Sequence, residues 1–291
     1  MTVTEKLARG TLLAGVIGWP VAQSLSPALH RFWLDRLGIE GDYVRLPVRS
    51  EDLAAALHGL GPLGYCGVNV TVPHKEAVLS HIDHVTDRAR RIGAVNILSV
   101  HPSGSLHGDN SDAVGFLDHL LASISDFALE GARVSLFGAG GAARAIAIAL
   151  LDAGVASLHI LNRSEERAEA LAAVLADRRA RSGRLMDSAG LLPRTDLLVN
   201  ATTLGMVGQP PLACDVALLP DHAVVYDIVY KPLETPLLKA ARARGLRTVD
   251  GLGMLIHQAV PAFAQFYGAK PPLGSGERAH LLARLRGDPS Q

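Results

Sequence analysis

The stretch FGAGGAARA, residues 137–145, constrains the fold of this chain more than any other. It closes a strand-like run, RVSLF (133–137), and opens an apolar, helix-like run that reaches Gly154. The pattern is Gly-x-Gly-x-x-Ala at Gly138, Gly140 and Ala143. Gly138 permits a tight turn, Gly140 lets backbone approach a pyrophosphate at a helix N-terminus, and Ala143 keeps helix and strand close. A glycine-rich turn that binds nothing is the bland alternative. The strand before and the helix after favour dinucleotide binding.

β-like and helix-like segments alternate through the rest of the chain, the signature of an α/β fold. In the first third, 12–18, 41–48, 67–73 and 94–100 read as strands, with helical periodicity over 26–38 and 50–61. Each of those two helices begins at a Ser able to cap it. In the middle third, strands are expected at 133–140, 157–164, 195–202 and 224–230, with helices over 142–154 and 165–179. Helical runs also cover 109–124 and 252–268. Two domains result: a substrate-binding domain from 1–112 and 251–291, and a dinucleotide-binding domain inserted between them at 113–250.

The bulk numbers exclude several function classes. Lys plus Arg and Asp plus Glu both number 28, so no global field recruits nucleic acid or an anionic membrane. Cys66 and Cys214 are far apart and lack metal-ligand spacing, which argues for ordinary thiols and no metal. No apolar run approaches the ~18 residues a membrane span needs, and residues 1–10 carry no secretion signal. A cytoplasmic protein is expected, monomeric or homodimeric.

Where an NAD-binding fold usually places a ribose-binding acid, this chain has Asn162, followed by Arg163, Ser164 and Arg167. A carboxylate there would repel a 2′-phosphate, whereas two arginines four residues apart can face one anion. NADP is the cofactor this favours. Ser164 as a simple helix cap would explain the serine but not the missing acid.

A nicotinamide enzyme also needs a proton donor beside the carbon that exchanges hydride. In VNVTVPHKEAV (68–78), strand alternation puts Asn69 and Thr71 on one side. Pro73 favours a helix start with Lys75 in its first turn. The positive end of a helix dipole would disfavour the ammonium; a nearby carboxylate, with Asp112 in HGDNSDAVGF (107–116) as candidate, would favour it. Asp109 and Asp112 could each be helix caps instead, and His74 is a weaker base candidate. Ser24, Ser26, Asn69, Thr71, Asn96 and Asp112 are small polar groups on otherwise apolar segments. Such a wall suits a compact polyhydroxylated acid.

These segments resemble the shikimate/quinate dehydrogenase family along nearly the whole chain. GVIGWPVAQSLSPALH, GVNVTVPHKE, GAVNIL, GDNSD, GAGGAARA, NRSEER, NATTLGM, VVYDIVYKPLETPLL and GLGMLIHQA occur in family order. The resemblance implies an N-terminal α/β substrate domain, a doubly wound Rossmann-type cofactor domain, C-terminal helices returning to the first domain, and a cleft between the two. It implies reversible, NADP-dependent interconversion of 3-dehydroshikimate and shikimate, a step toward aromatic amino acids. Lys75 would be the acid/base residue, with Asp112 orienting it. Ser24, Ser26 and Tyr230 would hold the carboxylate; Thr71, Asn96 and Gln258 would meet ring oxygens. Gly138, Ala139, Gly140, Gly141 and Ala142 would cradle the pyrophosphate, and Asn162, Arg163, Ser164 and Arg167 the ribose phosphate. Ile228, Gly251 and Met254 would line the nicotinamide side, with Asp87 a further cofactor contact. A quinate-active relative with relaxed cofactor choice is the alternative. Ser111 departs from a common Thr but keeps the hydroxyl.

Overall fold

The computed structural model describes residues 11–287, so the reading of residues 1–10 lies outside the described residues. The chain divides into two compact units, one built from residues 1–112 and 255–291 and the other from 113–254. Among the described residues, no helix is long and apolar enough to cross a membrane, and no cluster of side chains could hold a metal ion.

The first unit is built on a mixed six-stranded sheet. Its strands are β1 (Leu12–Gly18), β2 (Gly41–Pro47), β3 (Tyr65–Val70), β4 (His84–Val85), β5 (Ile97–Val100) and β6 (Leu106–Asp109), in the order β2-β1-β3-β5-β6-β4. β1 pairs parallel to both β2 and β3, while β5 runs antiparallel to β3 and β6. Three short helices, α1 (Ser26–Leu37), α2 (Leu53–Gly59) and α3 (Asp87–Ile92), belong to the same unit. Ile17, Val68, Val70, Leu98 and Ala89 form part of its core.

The second unit has six parallel strands: β7 (Arg133–Phe137), β8 (Ser157–Asn162), β9 (Ala180–Arg184), β10 (Leu197–Asn200), β11 (Val224–Asp227) and β12 (Arg247–Val249). Their order, β12-β11-β10-β7-β8-β9, is the doubly wound arrangement in which the chain reverses direction across the sheet between β7 and β10. Helices α5 (Gly141–Asp152), α6 (Glu165–Leu175) and α7 (Pro236–Ala243) connect strands of this sheet. Two further helices straddle the boundaries of the units: α4 (Asp112–Ser123) begins on the last residue of the first segment, and α8 (Gly251–Tyr267) crosses at Met254–Leu255. The last helix is α9 (Ser275–Arg286).

Several local expectations need correction. Ser26 and Ser50 do not cap: the N-cap positions are Leu25 and Arg49, neither with a side-chain cap bond, and Ser26 is already helical. Pro73 starts no α-helix. Residues 72–73 and 75–76 form turns, and only a five-residue 3-10 helix, Ala77–His81, follows. Helix α6 ends at Leu175 because Ala176 turns left-handed, φ 49°.

Candidate active site

Four of the proposed residues meet within the first unit: Lys75 in the turn after β3, Asn96 just before β5, Asp112 at the start of α4 and Gln258 on α8. Lys75 Nζ donates to Asp112 Oδ2 at 2.6 Å. The other carboxylate oxygen, Oδ1, accepts from Asn96 Nδ2 at 2.8 Å. That same amide nitrogen lies 3.2 Å from Gln258 Oε1. The Lys75 side chain is 14% exposed and that of Asp112 4%, so the pair is screened from bulk water yet the amine is not sealed in. With no α-helix at Lys75, the helix dipole expected to act on its ammonium is absent. The carboxylate is what the amine faces.

Backbone geometry fixes this arrangement. Asp112 sits at the first turn of α4, its N–H donating to Asn110 Oδ1 at 2.9 Å while its carboxylate is taken by Lys75 and Asn96. The Ser111 N–H donates to Asn96 Oδ1 at 2.9 Å, which forces the Nδ2 end of that amide toward Asp112. Ser111 Oγ donates to the Gln258 carbonyl at 2.7 Å and ties α8 to the same turn. Asp109 has a different role. It accepts from Thr86 Oγ1 at 2.7 Å, Arg88 Nη2 at 2.6 Å and Gln265 Nε2 at 3.1 Å. Burial raises its pKa, but the hydrogen bonds from Thr86 and Arg88 win, holding the carboxyl below its usual range. His74 is structural, its buried ring 2.7 Å from the Val48 carbonyl.

Ser24 and Ser26 stand at the entrance to α1, where the Ser26 N–H donates to Ser24 Oγ at 3.3 Å. Arg45 holds the Ser24 carbonyl through Nε and Nη2 at 3.1 and 2.7 Å. Thr71 lies just beyond β3, its N–H on the Ile17 carbonyl at 2.9 Å, with its side chain half-buried. Asn69 is buried within β3, and both ends of its amide are engaged: Oδ1 accepts from Tyr43 Oη at 2.7 Å, and Nδ2 donates to the Asn96 carbonyl at 3.0 Å. Asp87 is exposed in the first turn of α3, in the first unit, whereas the glycine turn belongs to the second.

In the second unit, Gly138 adopts φ +115°, and a Cβ there would come 2.8 Å from the Ala201 carbonyl oxygen. The turn after β7 therefore lies against the NATTLGM segment after β10, at the point where strand order reverses. A Cβ on Gly140 would meet nothing within 4 Å, and α5 begins there with no side-chain cap. An uncapped helix N-terminus with open space before it fits a dinucleotide's phosphates, carried on Gly138, Ala139, Gly140, Gly141 and Ala142.

At the end of β8, Asn162 Nδ2 donates to the Ser164 carbonyl at 2.9 Å. Ser164 does cap α6, accepting from the Arg167 N–H at 3.4 Å, and its hydroxyl donates to Glu166 at 2.6 Å. Arg163 is exposed and has no ion-pair partner among the described residues. Ile228 and Gly251 are in contact: a Cβ on Gly251 would fall 2.0 Å from the Ile228 carbonyl oxygen, so only glycine fits. Met254 is buried on the same turn of α8, and Tyr230 is half-buried two residues past Ile228. The segment 228–230 is fastened by Asp227, which accepts from Asn200 Nδ2, the Val229 N–H and Thr235 Oγ1 at 2.9, 3.0 and 2.7 Å. Burial pushes this carboxyl up to about 6. Asp227, Asn200, Asn110 and Tyr43 escaped the sequence reading; the NATTLGM and YDIVY motifs were the only signal for the first two.

Comparisons with known proteins converge. Residues 16–98 match the model of a shikimate dehydrogenase substrate binding domain, and 120–206 that of a shikimate/quinate 5-dehydrogenase. The chain is 51% identical over 278 residues to a shikimate dehydrogenase (NADP(+)) of Rhodospirillum rubrum, covering 94% of this chain and 97% of that one. The crystal structure of shikimate 5-dehydrogenase from Thermus thermophilus, in complex with NADP(H) and shikimate, is 40% identical with TM-score 0.81. It covers 94% of this chain and 100% of the other. A quinate dehydrogenase from Corynebacterium glutamicum in complex with NAD is 36% identical with TM-score 0.85, over 94% and 99% of the two chains.

Proposed function

The chain belongs to the shikimate dehydrogenase family, and from that premise we propose how its own residues carry out the reaction. It is an NADP-dependent oxidoreductase that reversibly reduces 3-dehydroshikimate to shikimate. The observation that carries the residue assignment is the 2.6 Å Lys75–Asp112 pair with the Asn96 amide on the second carboxylate oxygen.

NADPH supplies the hydride that reaches the carbonyl carbon. Lys75, paired with Asp112, gives a proton to the oxygen that becomes the new hydroxyl; in the oxidative direction it takes that proton back. Asp112 aims the amine and accepts a hydrogen bond from the ring hydroxyl. Asn96, Gln258 and Thr71 bind ring oxygens. Ser24 and Ser26 receive the carboxylate, a role that hydroxyls and backbone N–H groups suit. Gly138 to Ala142 hold the pyrophosphate. Asn162, Arg163, Ser164 and Arg167 hold the 2′-phosphate, Arg163 being the cation least committed elsewhere. Ile228, Gly251 and Met254 flank the nicotinamide. The enzyme works as a soluble cytoplasmic monomer or homodimer.

The test is NADP reduction with shikimate, and with quinate as comparator, on the wild-type enzyme and on Lys75→Ala. Loss of the proton donor should lower kcat by about 10²- to 10⁴-fold, with the KM for NADP little changed. Turnover at the wild-type rate in Lys75→Ala would remove the assignment, and wild-type preference for quinate would move the substrate to the other branch of the family.

A further inference from the structure

We propose that Tyr43 is a positioning residue for the reaction, acting through Asn69 on the Asn96–Asp112–Lys75 site. The inference rests on the proposed role of that site. Asn69 is then part of the frame and not a contact of the substrate ring.

The chain of bonds is continuous. Tyr43 Oη donates to Asn69 Oδ1 at 2.7 Å, Asn69 Nδ2 donates to the Asn96 carbonyl at 3.0 Å, and Asn96 Nδ2 donates to Asp112 Oδ1 at 2.8 Å. Asp112 Oδ2 then receives Lys75. An amide has one accepting and one donating end, so the donor at Tyr43 decides which end of Asn69 faces Asn96. With Oδ1 taken by the phenol, Nδ2 must point at the Asn96 carbonyl. Without the phenol, buried Oδ1 loses its donor and the amide plane loses the contact that anchors its other end, so the bond to the Asn96 carbonyl is held less firmly.

The Asn96 main chain has little freedom otherwise. Its N–H donates to the Asp109 carbonyl at 3.0 Å, and its carbonyl also accepts the Val70 N–H at 3.0 Å. Among the described residues, the Asn69 bond is therefore the one side-chain hydrogen bond to that carbonyl, and it lies one residue from the start of β5. A tyrosine can reach it because β1 runs between β2 and β3, and its Ala14 is registered with Tyr43 on one side and Gly67 on the other. Ala14 leaves the phenol room to lie across β1, while the space over Gly67 is taken by Phe266. The ring is fixed from outside: the His30 imidazole stacks on it at 4.0 Å and 22°. Tyr43 is fully buried and Asn69 7% exposed, so water does not replace a lost bond there.

The experiment compares wild type, Tyr43→Phe, Asn69→Ala and the double variant, with shikimate and NADP as substrates. Tyr43→Phe keeps the stacked ring and removes one oxygen. Its kcat should fall between about ten- and a hundredfold, as small misplacements of reacting groups do, while the KM for NADP stays at the wild-type value. Asn69→Ala should lower kcat at least as much, and adding Tyr43→Phe to it should change nothing further, because the two act in series. A hydroxyl that serves folding alone would lower Tm and leave kcat unchanged below the melting temperature; that result overturns the proposal. So does a rise in shikimate KM at unchanged kcat in Asn69→Ala, which would make Asn69 a substrate contact. Should Tyr43→Phe fail to fold, Asn69→Ala decides alone by the same split. Wild-type enzyme without shikimate activity would instead remove the underlying assignment of the site, and the two failures are distinct.

Discussion

Arg163 follows β8 where a carboxylate would serve a free ribose, and its neighbours are already occupied. Ser164 caps α6 and donates to Glu166, while Asn162 binds the Ser164 carbonyl. An exposed guanidinium with no ion-pair partner among the described residues is what remains to meet a 2′-phosphate. Hydrogen bonds to charged groups contribute roughly 1.5–3 kcal/mol, so Arg163→Ala should weaken NADP by about ten- to a hundredfold and leave NAD nearly unchanged. Parallel titrations of the two dinucleotides measure this. Equal losses for both would place the guanidinium elsewhere. Tyr43 marks the opposite limit of what residues alone disclose: it stands 26 positions from Asn69, and only the intervening β1 makes them neighbours.

At the scale of elements, β11 ends on a buried carboxylate whose three hydrogen bonds hold the turn toward Tyr230. Burial raises the Asp227 pKa from 3.8 to about 6, a rise equivalent to roughly 3 kcal/mol. A raised folded-state value means the contribution to stability is fully present below pH 3.8 and is lost as pH climbs through about 6. Asp227→Asn can keep its oxygen on Asn200 and Val229 and turn its nitrogen to Thr235. The variant should therefore gain stability relative to wild type as pH rises from about 4 to about 7, read from urea midpoints across that range. A flat difference would show that Asp227 does not titrate there. The elements themselves were largely visible in the sequence, because β/α alternation, the glycine turn and the Ser164 cap are local. The missing helix after Pro73 and the lack of a cap from Ser26 and Ser50 were not visible. Proline and serine permit those starts, but the tertiary path of the chain decides them. Lys75 was singled out by its motif, and the carboxylate it faces comes from a stretch 37 residues on.

At the scale of the whole molecule, two units with separate cores divide the candidate residues between them, so each ligand should report on its own unit. The first-turn amides of α5 precede its first helical bond, Arg144 N–H to the Gly140 carbonyl at 3.0 Å, and no side chain caps them. NADP phosphates would supply those acceptors. At a concentration about 100 times its Kd, a ligand stabilises the state it binds by about 2.7 kcal/mol, roughly a hundredfold slowing of exchange through opening of the bound segment. Hydrogen exchange with NADP alone should thus slow at Gly140 to Ala143 and at Asn162 to Arg167. With shikimate alone it should slow at Ser24 to Ser26, Thr71 to Lys75 and the Asn110–Asp112 turn. Protection by NADP confined to the first unit would break the assignment of the glycine turn, whatever the assay of turnover gives. Protection by shikimate confined to the second would do the same for the Lys75–Asp112 site, since the amides of that site are drawn from separate stretches that only a ligand bound among them would slow together.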